Sequence, residues 1–285
     1  MLWRKTSGSV VCPSCGSLVG VNDDRCYTCG RANPGMWGFA PAIRQLGADL
    51  GFVPLVIGAS AALYALTLIA SGNRMQIFGG GFNILAPSGQ ALIVFGASGA
   101  LPVFGLGAWW SVLSATWLHG SLLHILFNMM WVRDIGPTSV DVIGPGRTVI
   151  IYVVSGICGF LLSSLAGAYL PPLPLLRGAQ LTVGASASIF GLLGALVHYG
   201  QKSGSSLIHG QARQWALILF VYGLIMPGID NFAHAGGFVG GYVSSAFFNP
   251  LTSERGDHLL VAGALLLLTF VAIAISVFRG WSLVF

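Results

Sequence analysis

The sequence predicts an all-α membrane protein that crosses the bilayer several times and begins with a small metal-binding segment. Hydrophobic residues make up 55% of the 285 residues, charged residues make up 7%, and the mean hydropathy is +0.81. A soluble domain has about 25% charged residues, so this chain has too few to cover a water-exposed surface. Apolar runs near the length that spans a bilayer recur after residue 50. Four of the five cysteines lie before that point.

The cysteines of the first segment form two close pairs, Cys12-Pro-Ser-Cys15 and Cys26-Tyr-Thr-Cys29. Two such pairs place four thiolates around one cation, the arrangement of structural zinc. Two disulfides are disfavoured because a cytoplasmic N-terminus lies in a reducing compartment. A redox role is weaker still, because no thioredoxin-like pattern surrounds the motif. We expect residues 1–50 to be a zinc-ribbon-like segment and linker. Whether a cytoplasmic partner binds it stays open.

Seven apolar segments follow and predict seven membrane helices. They cover residues 52–71, 112–132, 148–170, 184–200, 212–227, 231–248 and 258–278. We assign residues 51–250 to a membrane core and residues 251–285 to an additional C-terminal helix. The stretch 72–106 carries one charged residue, Arg74, and several apolar ones. It is too apolar for an ordinary loop, so we expect it to lie partly in the membrane interface.

The distribution of Lys and Arg predicts the orientation. With a cytoplasmic N-terminus, ten basic residues lie inside and three lie outside, a clear positive-inside bias. The ten are Arg4, Lys5, Arg25, Arg31, Arg44, Arg133, Arg147, Lys202, Arg213 and Arg255; the three are Arg74, Arg177 and Arg279. The C-terminus is then outside. The same residues explain the net charge of +5, so we expect no nucleic-acid partner. No signal or transit peptide is recognisable, and together with the cytoplasmic N-terminus this favours a prokaryotic plasma membrane, with an organelle membrane as the alternative.

Polar residues at membrane depth are costly and are therefore candidates for function. The second segment contains His119, His124 and Asn128, and the last two share one helix face at i,i+4 spacing. Taken alone, hydrogen bonding between helices is the favoured explanation for them. We expect His119 to lie nearer the outer surface on the same helix.

A serine opens the fourth segment, which reads Gly184-Ala-Ser186-Ala-Ser188. Backbone N–H groups at a helix N-terminus have no partner within the helix, which suits a nucleophile with an adjacent oxyanion site. A lone serine is more often satisfied by packing. Ser188 follows two residues later and about 200° around the helix, so only one of the two can face a common site.

The sixth segment begins at Asp230 and contains His234. Gly236 with Gly240, and Gly237 with Gly241, give two G-x-x-x-G spacings that let a partner helix approach closely. Ordinary helix packing explains the glycines. A functional interpretation is that they press His234 against the Ser186 helix. We expect Asp230 to cap the helix rather than to orient His234.

Taken together, these motifs resemble the rhomboid intramembrane serine proteases. The resemblance rests on His124-x-x-x-Asn128, Gly184-Ala-Ser186, Phe190-Gly191 and Ala233-His234-x-Gly236-Gly237-x-x-x-Gly241. It covers about residues 109–248 and implies a rhomboid-like six-helix bundle, with the last segment as a seventh transmembrane helix.

The resemblance also implies roles for these residues. Ser186 would be the nucleophile and His234 the general base, without a catalytic cofactor. His124, Asn128 and the Ser186 backbone N–H would hold the oxyanion, and Phe190 would stack on the histidine. Supporting positions would be His119, Gly184, Gly236, Gly237 and Gly241. The substrates would be transmembrane segments of other membrane proteins.

Two positions depart from the family pattern. Ser111 follows Trp110 where the family often has an arginine that braces the first loop, and Ala187 replaces a glycine after Ser186. The sequence does not decide whether Ala187 tightens the entrance to the site. A catalytically inactive rhomboid-like protein that binds membrane helices is the alternative function. An intramembrane metalloprotease is disfavoured because the chain has no H-E-x-x-H motif. A transporter is disfavoured because only histidines offer charge at depth.

Overall fold

The computed structural model describes residues 4–41, 49–79, 83–171, 176–252 and 254–284. The N-terminal segment contains a short antiparallel hairpin of β1 (Ser9–Val11) and β2 (Leu18–Gly20), in which Val10 pairs with Val19. A second turn is closed by the bridge between Arg25 and Ala32. Its small core contains apolar residues from both turns and two of the cysteines: Val10, Cys12, Val19, Val21, Cys26 and Ala40.

Helices make up nearly all of the rest of the chain that the structure describes. Two more strands, β3 (Gln76–Phe78) and β4 (Ile84–Ala86), form a hairpin. The helices are α1 (Phe52–Ser71), α2 (Gly89–Phe95), α3 (Ser111–Ser114), α4 (Leu122–Ile143), α5 (Pro145–Tyr169), α6 (Ser186–Ser203), α7 (Ser206–Ile225), α8 (Asn231–Ala246) and α9 (Gly256–Val284).

Three of the described helices are long and apolar enough to cross a membrane, namely α1, α5 and α9. Large apolar side chains on the helix surfaces remain exposed, including Ile69 on α1, Leu217 on α7 and Phe278 on α9. A water-soluble protein rarely exposes so many large apolar side chains. The all-α polytopic membrane fold predicted from the sequence is confirmed.

The second predicted span, 112–132, has the wrong boundaries. Residues 111–117 form two short helical turns, Leu118 is extended, and α4 begins only at Leu122. Ser121 starts the helix because its side chain accepts a hydrogen bond from the His124 backbone N–H at 3.3 Å. His119 therefore precedes the helix and does not lie on it as predicted.

Helix α6 lies at the centre of the membrane core. Every residue from 187 to 198 is buried, and α4, α5, α7 and α8 all pack against it. A helix buried on all sides must be apolar or small around its whole circumference. Helix α6, which begins at Ser186, is thereby held by four neighbouring helices.

The two glycine pairs of α8 face two different helices. A methyl group on Gly237 would overlap the Ala187 carbonyl oxygen, and one on Gly241 would overlap that of Gly191, both on α6. Gly236 and Gly240 instead face Cys158 on α5, where an added Cβ would lie 2.8 Å from its carbonyl oxygen and 2.7 Å from its Cβ, respectively. One glycine pair thus places α8 against α6 and the other against α5.

The stretch between α1 and α4 is folded rather than an open loop. It contains β3, β4, α2, a π-helical turn at Leu101–Gly105 and α3. Tyr64 on α1 donates a hydrogen bond to the Leu85 carbonyl oxygen at 2.5 Å. Leu92, Val94 and Phe95 on α2 are buried, so this stretch packs against the helices through apolar side chains.

Helix α9 is anchored near its start by a buried arginine. The Arg147 guanidinium donates hydrogen bonds to the carbonyl oxygens of Asn249 at 3.1 Å and Thr252 at 2.9 Å. Glu254 accepts one from the Arg147 backbone N–H at 2.7 Å. These contacts fix the chain between α8 and α9 to the start of α5.

We predict that Gly241→Ala destabilises the fold because the methyl group would overlap the Gly191 carbonyl oxygen. Overpacking of this kind costs about 1–3 kcal/mol. The matched control is Gly263→Ala on α9, where an added Cβ meets nothing within 4 Å. The control should be neutral or stabilising by up to about 1 kcal/mol. Thermal unfolding in detergent checks both variants, and equal unfolding temperatures would contradict the close packing of α6 and α8.

Candidate active site

Ser186 is the first residue of α6 and is half-buried. The chain enters the helix through Gly184, whose φ of +131° is unfavourable for residues with a side chain. The Gly184 backbone N–H donates to the Ala115 carbonyl oxygen at 3.0 Å. The serine hydroxyl is therefore held at a helix N-terminus, where backbone N–H groups have no partner within the helix.

His234 from α8 lies beside Ser186. Its Nε2 atom is 3.0 Å from the Ser186 Oγ, and its Nδ1 is 3.2 Å from the Asn231 Oδ1. Because an amide oxygen only accepts hydrogen bonds, this contact places the imidazole proton on Nδ1 and leaves Nε2 to accept from the serine. The Phe190 ring stacks on the imidazole with the centroids 4.2 Å apart and the planes 15° apart.

The sequence analysis missed Asn231. It lies three residues before His234 in the first turn of α8, so the two side chains share a helix face. That i,i+3 spacing is visible in the sequence and was the available signal. Asn231 is 3% exposed and His234 is 6% exposed, so this hydrogen bond is shielded from water.

His124 and Asn128 on α4 approach the same point from a third helix. A Cβ built on Gly184 would lie 2.6 Å from the His124 Nε2 and 3.6 Å from the Asn128 Nδ2. The His124 Nδ1 accepts a hydrogen bond from the Gly120 backbone N–H at 3.3 Å, so its Nε2 carries the proton. Asn128 donates to the His124 carbonyl oxygen at 3.0 Å. Two side-chain donors therefore lie next to the backbone that leads into Ser186.

The remaining predicted positions have different surroundings. His119 is fully buried and contacts the His124 ring edge-on, with centroids 5.2 Å apart. Asp230 caps α8 by accepting from the Ala233 backbone N–H at 3.0 Å, and it accepts from the Ser163 hydroxyl at 2.5 Å. The structure gives Asp230 the capping position that the sequence analysis preferred.

Ala187, which follows Ser186 on α6, is 1% exposed and belongs to a buried cluster with Ala115, Phe160 and Ala233. Ser188 points elsewhere, and its hydroxyl lies 2.9 Å from the Thr116 Oγ1. Only one of the two serines faces His234.

The N-terminal cysteines form a separate cluster. Their Sγ atoms all lie within 4.8 Å of one another, with Cys12 3.8 Å from Cys29 and Cys15 3.6 Å from Cys26. Tetrahedral zinc with Zn–S bonds of about 2.3 Å requires sulfur atoms about 3.8 Å apart, so the geometry fits. None of the four cysteines is paired in a disulfide in this structure.

The two cysteine turns repeat the same backbone pattern. The Cys12 N–H donates to the Ser17 carbonyl oxygen, and the Cys26 N–H donates to that of Arg31, each at 2.8 Å. Hydrogen bonds from Ser17 lower the pKa of Cys15 to about 6, whereas burial raises the pKa of Cys29 to about 12. A bound cation would favour the thiolate form of all four.

Comparison with known proteins identifies the family. A family model of the Rhomboid domain matches residues 106–250. The chain belongs to the rhomboid family. The matched range agrees with the 109–248 expected from the motifs.

Two rhomboid relatives show the extent of the similarity. RHOMBOID-like protein 4 of Arabidopsis thaliana is 31% identical over 209 residues, which cover 67% of this chain and 50% of that protein. Rhomboid protease GluP of Bacillus subtilis (strain 168) is 29% identical over 198 residues, which cover 68% of this chain and 36% of that protein. The chain thus spans half or less of these relatives' own lengths.

The rhomboid family includes inactive members. Inactive RHOMBOID-like protein 8 of Arabidopsis thaliana is 30% identical over 135 residues, which cover 46% of this chain and 35% of that protein. Membership therefore establishes the membrane fold of this rhomboid chain, while its catalytic activity is a separate question.

We predict that Asp230→Ala destabilises α8 because it removes the N-cap and the acceptor for Ser163. Loss of a cap costs about 0.5–2 kcal/mol. Asp230→Asn keeps a capping oxygen and should lose less than half as much. Thermal unfolding of the three proteins in detergent tests this. An Asn variant as unstable as the Ala variant would show that the charge of Asp230, rather than its cap, is what matters.

Proposed function

We propose that this rhomboid is an intramembrane serine endopeptidase that cleaves transmembrane segments of other membrane proteins. The observation that carries the proposal is the 3.0 Å contact between the Ser186 Oγ and the His234 Nε2. A serine and a histidine from different helices, in hydrogen-bond contact at a helix N-terminus, form an activated nucleophile with its base.

The proposed reaction proceeds through an acyl-enzyme. The Ser186 Oγ attacks the scissile carbonyl carbon while the His234 Nε2 takes its proton, and the tetrahedral intermediate then expels the amine, which receives that proton. Water attacks the ester in a second cycle and releases the acid. Asn231 holds the Nδ1 proton throughout, and Phe190 fixes the plane of the ring. Asn231 is a positioning residue in this scheme, and no required carboxylate takes part.

Three groups are suited to stabilising the negative oxygen of the intermediate. They are the protonated His124 Nε2, the Asn128 amide and the Ser186 backbone N–H. The first two lie beside Gly184, and the third is at the open end of α6. Each oxyanion donor typically contributes about 3 kcal/mol to transition-state stabilisation.

The substrate class follows from the location of the serine in a membrane protein. A transmembrane helix hides its peptide bonds in intrahelical hydrogen bonds, so it must unwind locally before the serine can reach one. Helices weakened by Gly or Pro, with a small residue at the cut, meet this requirement. The lipid bilayer is the medium of the reaction, and no catalytic cofactor takes part.

We propose that the N-terminus is cytoplasmic and the C-terminus outside, because the distribution of Lys and Arg favours this orientation. Ser186, at the start of α6, then lies in the outer half of the membrane. The proposed compartment is a prokaryotic plasma membrane. Residues 1–50, 51–250 and 251–285 are the proposed zinc segment, protease core and additional helix.

A catalytically inactive helix-binding rhomboid is the second candidate, because the family includes a member named as inactive. Such a protein needs the fold but not a serine paired with a histidine. The retained contact between Ser186 and His234 favours the protease.

We predict that a fluorescent fluorophosphonate labels the detergent-purified protein, because the reagent reacts with activated serines. Ser186→Ala and His234→Ala should each reduce labelling to background. Ser188→Ala is the matched control: its hydroxyl belongs to the same helix but contacts Thr116, so labelling should persist. In-gel fluorescence at equal protein amounts is the measurement. A folded wild type without labelling would favour the inactive candidate.

We also propose that Cys12, Cys15, Cys26 and Cys29 hold one structural zinc ion. The support is the separation of their sulfur atoms and the small core of the segment, which contains six buried residues. A core of that size is too small to stabilise a fold alone, and bound zinc supplies folding free energy. The ion would have no part in catalysis. We also propose that the segment can bind a cytoplasmic partner.

We predict that Cys26→Ser lowers the zinc content from about one ion per chain to a small fraction of that, since a structural site needs all four ligands. Cys158→Ser is the matched control because Cys158 lies on α5, outside the cluster. Elemental analysis of proteins purified without added chelator measures the ratio. Equal zinc content in the two variants would overturn the assignment.

A further inference from the structure

Helix α9 lies beyond the matched Rhomboid region of residues 106–250, yet it packs directly on two helices of that region, α5 and α3. Its neighbours are α5, α2 and the short helix α3. The last two belong to the segment that precedes α4. The C-terminal part of α9 therefore contacts a region that leads towards the active site.

Trp110 is the centre of this contact. Its indole Nε1 donates a hydrogen bond to the Ser276 Oγ at 2.9 Å, and the Arg279 guanidinium carbon lies 5.1 Å from the centre of its ring. Trp110 is 8% exposed and Ser276 is 5% exposed. A tryptophan with a buried hydrogen bond and a cation over its face is held in one orientation.

The backbones also approach closely at this contact. A Cβ on Gly280 would lie 2.8 Å from the Val94 Cα, and a Cβ on Gly96 would lie 2.7 Å from the Ser276 Oγ. Small residues on both sides therefore let α9 lie directly against the end of α2. A close-packed interface has little room to shift.

The segment held by α9 is in turn bound to the nucleophile helix. Ser114 donates to the Gly96 carbonyl oxygen at 2.7 Å, and the Ala115 carbonyl oxygen accepts from the Gly184 N–H at 3.0 Å. Gly184 lies two residues before Ser186. A continuous set of contacts thus runs from α9 through residues 96–116 to the backbone of the candidate nucleophile.

A second connection reaches the same backbone segment, which leads into α6. Ser98 and Thr182 exchange two backbone hydrogen bonds of 3.0 and 2.8 Å. The Ser98 side chain accepts a hydrogen bond from Ser111 at 3.3 Å. Ser111, the position where the family often has arginine, is fully buried and has a small side chain. The cation beside Trp110 comes instead from Arg279 of α9.

We propose that Ser276 and Arg279 of α9 are positioning residues. They hold Trp110, and through it residues 96–116, so that Gly184 and Ser186 keep their reactive geometry. The proposal rests on the proposed protease function for its catalytic consequence. Its structural part concerns only the order of residues 96–116 and holds for an inactive protein as well.

The test combines two measurements on the full chain in detergent. Hydrogen–deuterium exchange reports the order of residues 96–116, and the rate of fluorophosphonate labelling reports the reactivity of Ser186. The variants are Arg279→Leu, which removes the cation, Arg279→Lys, which retains it, and Ser276→Ala. Phe278→Ala is the matched control because Phe278 is 85% exposed on the same turn of α9.

We expect Arg279→Leu to speed exchange selectively in residues 96–116 and to slow labelling by about threefold to thirtyfold, the range for a lost cation–π contact. Ser276→Ala should act in the same direction, Arg279→Lys should restore most of both signals, and Phe278→Ala should match the wild type.

Unchanged exchange in Arg279→Leu and Ser276→Ala would overturn the proposal. So would a uniform rise in exchange across all helices, which would make α9 a general stabiliser. If the wild type is not labelled, the proposed protease function fails. The hydrogen–deuterium exchange measurement still tests whether Ser276 and Arg279 order residues 96–116.

Discussion

The distance between α6 and α8 is the constraint on which the rest of the molecule depends. At Gly237 and Gly241 the two helices meet backbone to backbone, against Ala187 and Gly191. Without side chains between them, the helices cannot separate without losing this contact along their length. Because Ser186 and His234 lie next to it on these two helices, glycine packing brings them close enough for their 3.0 Å hydrogen bond.

A polar site inside a membrane protein also needs every orientation fixed from several sides. His234 is held by Asn231 at one nitrogen, by Ser186 at the other and by Phe190 on its ring face. Misplacing reacting groups by about 1 Å can cost about a hundredfold in rate, so these multiple contacts are what the proposed protease function requires. In that proposal, the glycine interface and the stacked ring both contribute to preorganisation, a main source of electrostatic catalysis.

Much of this arrangement is predictable from the sequence because membrane helices report their length and their costly polar residues directly. The range 52–71 gives α1 as the structure has it, and the spaced histidine, serine and glycine motifs point to one family. Hydropathy does not predict where α4 begins. Residues 112–118 are mostly apolar, as a membrane helix would be, but they form short helical turns that end at the extended residue Leu118. The glycine spacing in the sequence identifies two close-packing faces of α8, but it does not show that one of them packs against α5. The long-range contact of Arg279 with Trp110 is similarly invisible, because nothing local connects residues so far apart.

The most direct test of the account is to locate the covalent adduct formed by a fluorophosphonate. Digestion of the labelled protein and sequencing of the modified peptide by mass spectrometry would identify the reactive side chain among all the serines of the chain. The account predicts one adduct, on Ser186, which is absent when His234 is replaced by alanine. An adduct on another serine, or one on Ser186 that forms equally well without His234, would contradict the claim that these two residues form a nucleophile and its base.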